Sequence, residues 1–149
     1  MKKDVLIKIK GTQVADGDKD VVELLTTGSF CRRNKSYYII YDESEATGFQ
    51  GAKTILRYEP AECRVTMSRT GSTNSRLVIE QGRRHQCSYD TGYGSLMVGV
   101  LGSSLKSDLS DEGGSISFKY SLDINTALTS ENTVDILVAE ENRDRSVQS

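Results

Sequence analysis

Polar and apolar residues change places every second position along most of this chain. Val5, Ile7 and Ile9 alternate with Leu6, Lys8 and Lys10, the period of a strand with one face on a core. A long second strand follows over 20–32, and Gly28 inside it predicts a bulge or a bend. The same period predicts strands over 36–42, 53–59, 64–69, 76–81, 84–90, 95–106, 116–124 and 133–139. Between them stand turn-forming strings: Asp16-Gly17-Asp18, Arg33-Asn34-Lys35, Thr70-Gly71-Ser72, Gln81-Gly82-Arg83, Thr91-Gly92-Tyr93-Gly94 and Asp111-Glu112-Gly113-Gly114. Pro60 closes the fourth strand. Helical period is nearly absent, and a short helical turn is expected only within 46–51 or 103–109. Residues 140–149 are polar and without period, so they read as a frayed tail on a domain spanning 1–139.

Ten short strands at hairpin spacing either close or split into two sheets. Internal glycines in the longer strands favour curvature, and closure removes the edges such β-prone runs would expose. The expected fold is therefore all-β: a single antiparallel β-barrel of about eight to ten strands, with at most one or two short helical turns.

Composition narrows the function. The 149 residues suffice for one domain with a real core, and 36% apolar content suits strands that keep one face in water. A formal charge of −2 and a pI near 5.5 argue against a nucleic-acid binder. No apolar run reaches the length of a membrane span, and the Met-Lys-Lys-Asp start has no signal-peptide core, so a cytoplasmic protein is expected. Cys31, Cys63 and Cys87 are widely spaced and His85 is the single histidine, a pattern that suits reduced thiols and offers no metal or haem motif. No cofactor is expected.

Several segments together resemble the YwiB-like family of small bacterial proteins. They are Leu24-Leu25-Thr26-Thr27-Gly28-Ser29-Phe30, Tyr38-Ile39-Ile40-Tyr41-Asp42-Glu43-Ser44-Glu45-Ala46-Thr47-Gly48-Phe49, Arg69-Thr70-Gly71-Ser72, Gly82-Arg83-Arg84-His85-Gln86-Cys87-Ser88-Tyr89-Asp90-Thr91, Tyr93-Gly94-Ser95-Leu96 and Tyr120-Ser121-Leu122-Asp123-Ile124-Asn125. The resemblance implies a calycin-like, lipocalin-type barrel in a cytosolic bacterial protein. It brings no catalytic residues, because the family has no agreed activity.

The candidate site starts from strand parity. Tyr37, Ile39, Tyr41, Glu43 and Glu45 share one face, and Tyr38, Ile40 and Asp42 the other; one set lines the interior. Arg69 shares a face with Val65 and Met67, and His85 one with Cys87 and Tyr89. Tyr41, Glu43, Glu45, Arg69, His85 and Tyr89 are thus candidate ligand-binding residues for a small amphipathic or anionic molecule in the barrel mouth. Ile39, Ile55, Val78, Val98, Phe118 and Tyr120 are the expected walls. Two alternatives stay open: a solid scaffold barrel acting through its surface or as a homodimer, and an enzyme using Glu43 or Glu45 with His85 as acid and base.

Overall fold

Where the chain reverses in two residues, both residues take left-handed backbone. Asp16 and Gly17 have φ of 53° and 80°, Asn34 and Lys35 52° and 68°, Asn125 and Thr126 53° and 69°. This is the φ signature of type I′ hairpins, whose twist matches that of the strands they join. The computed structural model describes residues 2–44, 50–72, 74–90 and 94–140. Glu45, most of the 46–51 segment, the Thr91-Gly92-Tyr93 turn and the 141–149 tail lie outside that description.

The strands are β1 (Lys3–Ala15), β2 (Asp18–Arg33), β3 (Ser36–Asp42), β4 (Ala52–Glu59), β5 (Arg64–Gly71), β6 (Ser75–Glu80), β7 (Arg84–Asp90), β8 (Ser95–Ser107), β9 (Gly113–Ile124) and β10 (Ala127–Glu140). Each pairs antiparallel with its chain neighbours, and β10 returns to β1 to close the barrel. The expected closed antiparallel barrel is therefore present, with ten strands.

Two local expectations need correction. Gly28 marks no bulge, because the ladder runs through Val5, Gly28 and Tyr41 without a shift of register. Glycine is needed there for space: a Cβ would drive into the Ile40 carbonyl oxygen and sit 2.7 Å from Ile7 Cδ1. The register shifts instead between Leu128 and Ser130 and between Gly102 and Ser104. Among the described residues the helical turn lies at Pro60–Glu62, where proline presets φ and Cys63, at φ 48°, returns its N–H to the Pro60 carbonyl at 3.2 Å. Residues 103–107 belong to β8.

Ile55 and Val78 are not wall residues. The inward parity of β4 carries Thr54 and Leu56, and that of β6 carries Leu77 and Ile79, all nearly sealed from solvent. Ile55 stands on the parity of Lys53, Arg57 and Glu59, and Val78 on that of Arg76 and Glu80, so each is a single apolar residue on an otherwise charged outer face. Ile39, Val98, Phe118 and Tyr120 do line the interior.

The two ends of the barrel differ. The β2–β3, β4–β5, β6–β7 and β8–β9 connections gather at one end, with the start of β1 and the finish of β10. There the interior is filled by Val5, Ile7, Phe30, Ile39, Leu56 and Ile79, none more than 1% exposed. The β1–β2, β3–β4, β5–β6, β7–β8 and β9–β10 connections gather at the other end, the mouth.

Candidate functional site

The mouth contains a polar cluster built on one cross-strand row. Tyr41 pairs with Thr54, and Thr54 with Arg69, so three adjacent strands aim these side chains inward at one level. Glu43 lies just past β3, where its N–H donates to the Ala52 carbonyl at 2.8 Å and keeps the strand parity going. The face question raised by the sequence is thereby answered: Tyr41 and Glu43 point inside, at 7% and 6% exposure.

Glu43 is the hub. Its Oε2 accepts a short hydrogen bond from Thr54 Oγ1 and a charge-assisted one from Arg69 Nε at 3.2 Å. The Tyr41 hydroxyl lies within hydrogen-bond reach of both Thr54 and Glu43. Burial pushes the Tyr41 phenol far above its ordinary range, and the neighbouring Glu43 charge pushes the same way. It therefore remains a neutral hydroxyl at any physiological pH. Tyr120 stacks on Phe118, with ring centroids 6.1 Å apart, and burial pushes its phenol up to about 12.

Above this floor is a cavity of about 150 Å³. Tyr41, Glu43, Arg69 and Tyr120 form its polar side. Ile9, Val22, Leu24, Met67 and Val134 form the apolar side, with Gly11 between them. Its volume equals that of an apolar cavity that takes up benzene.

The other sequence candidates fall differently. Tyr89 faces inward near the mouth, close enough for its charge state to act on Tyr120. His85 does not join Glu43. It lies at the packed end, where its Nε2 meets Glu80 Oε1 at 3.0 Å. Glu80 also faces Arg64, which stands five residues from Arg69 on β5, about 17 Å of strand. There Arg64 donates to Glu59 at 3.1 and 3.0 Å, and that hydrogen bond holds the Glu59 carboxyl below its ordinary value. His85 thus belongs to a half-exposed ion-pair network capping the far end. Cys87 shares its inward face, donates nothing to the mouth, and instead accepts the Val78 N–H at 3.3 Å; burial pushes its thiol up. Among the described residues no three His, Cys, Asp or Glu side chains gather as metal ligands.

Sequence reasoning did not single out Thr54, Met67 or the apolar rim of Ile9, Val22, Leu24 and Val134. Thr54 had one signal, its shared parity with Leu56. The rim had none short of knowing that β1, β2 and β10 run past the core.

A larger hollow, about 280 Å³, is lined at the packed end by Lys3, Phe30, Cys31, Arg32 and Asp111. Its cations are already committed. Lys3 binds Glu140 and the Asp111 carbonyl, each at 2.6 Å, and Arg32 binds the Asp111 carboxylate at 3.3 Å. Exposed pairs of this kind hold loops together and leave little for a ligand.

Comparison with known proteins agrees with the architecture. The chain is 28% identical over 120 residues to the uncharacterized beta-barrel protein YwiB of Bacillus subtilis (strain 168), covering 80% of this chain and 82% of that one. The crystal structure of the ywiB protein from Bacillus subtilis superposes with a TM-score of 0.78 at 23% identity, covering 95% and 94% of the two chains, which speaks for the fold. Residues 7–136 match a family described as a domain of unknown function, and on that match this chain belongs to the DUF1934 family of β-barrel proteins.

Proposed function

We propose that this protein is a small-molecule-binding barrel whose ligand sits in the mouth cavity between the Glu43–Arg69 floor and the apolar rim. The supporting observation is the form of the cavity: one polar side, one apolar side, and a volume fit for a body of benzene size. That form suits an amphipathic molecule, in keeping with the lipocalin-type barrel that the sequence resemblance implies. The acid–base reading draws less support, since Glu43 is engaged by Thr54 and Arg69 while His85 is engaged by Glu80 at the far end. A cytoplasmic setting fits the three free cysteines, with Cys63 exposed.

A surface reading has one observation in its favour. Leu6, Leu25 and Leu137 are 42%, 72% and 50% exposed on adjoining outward positions of β1, β2 and β10. Three leucines around Lys8 fall well short of the about 800 Å² per partner that a stable homodimer buries, so this reading ranks second.

The test uses toluene as an apolar probe, followed by protein NMR. Gly11 supplies the control, because a Cβ built on it meets nothing within 4 Å. Gly11→Leu should fill the cavity without strain. Toluene should shift resonances of cavity-lining residues in the wild type and leave Gly11→Leu unmoved. Absence of binding in the wild type, or equal binding in the variant, overturns the proposal.

A further inference from the structure

We propose that the mouth cavity selects an uncharged polar head group on an apolar body (an alcohol, a phenol or a primary amide) and rejects the matching carboxylate. This deepens the ligand-binding reading and rests on it. The inference starts from charge balance. Among the described residues lining the cavity, Arg69 is the one cation and Glu43 the one carboxylate, and they meet at 3.2 Å with side chains 14% and 1% exposed. An entering anion would feel guanidinium attraction and carboxylate repulsion over nearly the same distance, and the two largely cancel. What remains is the cost of taking its charge out of water, among Ile9, Leu24, Met67 and Val134. A neutral head group bears no such cost and still finds polar partners.

Tyr120 is the partner on the page. It is more than nine-tenths buried, and its hydroxyl has no hydrogen-bond partner among the described residues. No sealed side-chain polar atom lacks a partner in the described structure, so this hydroxyl is reached from the cavity it lines. A phenol held neutral both donates and accepts one hydrogen bond, which matches the hydroxyl or amide of a neutral ligand. The aromatic ring is anchored independently by its stack on Phe118, so the hydroxyl sits at a fixed place.

Benzyl alcohol and benzoate share one ring and differ in charge, and toluene serves as reference. At neutral pH benzyl alcohol should bind at least about tenfold more tightly than benzoate. Benzoate should gain about tenfold per pH unit as the pH falls toward the ordinary carboxyl range, because only its protonated form enters. Tyr120→Phe should weaken benzyl alcohol by about tenfold and leave toluene unchanged. Glu43→Gln should move the preference toward benzoate by removing the carboxylate repulsion that opposes the Arg69 attraction. Should that variant fail to fold, the wild-type and Tyr120→Phe titrations decide alone. Benzoate binding as tightly as benzyl alcohol at neutral pH, with toluene bound, overturns the head-group inference and leaves the binding reading standing. No binding of toluene overturns both.

Discussion

Removing the charge of Glu43 is the most direct perturbation of the mouth. Glu43→Gln keeps the size of the side chain and still lets Thr54 donate to an oxygen, but it removes the Glu43 charge from beside the Arg69 guanidinium. Breaking a buried ion pair from one side costs about 3–5 kcal/mol, most of it the price of an uncompensated charge. Arg69 keeps 14% exposure and faces a cavity, which places the cost near the low end, about 3 kcal/mol. For a chain of this length that is a fall in Tm of roughly 6–12 °C. Arg69→Gln should cost a similar amount for the opposite reason, a carboxylate left in an apolar strand end. The double variant should cost clearly less than the two singles together, with a coupling of about 1.5–3 kcal/mol. Urea denaturation measures all four proteins, using midpoint shifts at constant m value. If the single costs add to within about 0.5 kcal/mol of the double, the pair is not a buried unit and the charge-balance reasoning fails with it.

Two further outcomes follow from the barrel wall. Gly28→Ala should destabilise by about 1–3 kcal/mol, because its Cβ meets the Ile40 carbonyl, whereas Gly99→Ala should cost less, because the atoms nearest its Cβ belong to the Arg84 guanidinium, which can shift at the expense of its half-exposed pair with Asp123; equal melting points for both would refute the backbone-contact argument. Glu59 has its carboxyl held below the ordinary 4.5 first by the Arg64 hydrogen bond, so its contribution is full above about pH 4.5 and is lost as the pH falls through the lowered folded value; Glu59→Gln should flatten the decline of the denaturation midpoint on acidification, and an unchanged decline would show that Arg64 does not favour the ionised form.

The strands were legible wherever one parity was apolar and the other was not. Val5, Ile7 and Ile9 against Lys8 and Lys10 specify both a strand and its inner face. Segment 37–42 specified a strand only, since Tyr38 and Ile40 are as apolar as Ile39 and Tyr41; closure and pairing with Thr54 chose the inward set. The first half of β10 was missed because 127–132 mixes Leu, Thr, Ser, Glu and Asn across a register shift, which erases period 2. The site divided in the same way. Parity grouped Glu43 with Tyr41, Arg69 with Met67, and His85 with Tyr89, but parity carries no information about depth. Depth is fixed by hairpin lengths and by the pairing of strands, which brought Arg69 to Glu43 across 26 positions and held His85 at the opposite end with Glu80.

Unequal strand length explains why a cavity exists at all. β1, β2, β9 and β10 have 13, 16, 12 and 14 residues, whereas β3 to β7 have 6 to 8. Beyond the level of Tyr41 and Arg69, the long strands have no short strand opposite them to pack against. Their inward residues do not turn polar at once. Ile9, Leu24, Val22 and Val134 stay apolar around the hollow, and only farther out do Gln13, Asp20 and Asn132 take over the same inward register. A simple solvated extension would place polar residues from the first step past the core. The delayed change marks the depth to which this wall is built for apolar contact. At the base of that wall stands an ion pair, where two well-packed hydrophobic side chains would be equally or more stable. An apolar rim only partly packed against the core, above a polar floor kept without a gain in stability, is the arrangement that the proposed amphipathic ligand would fill.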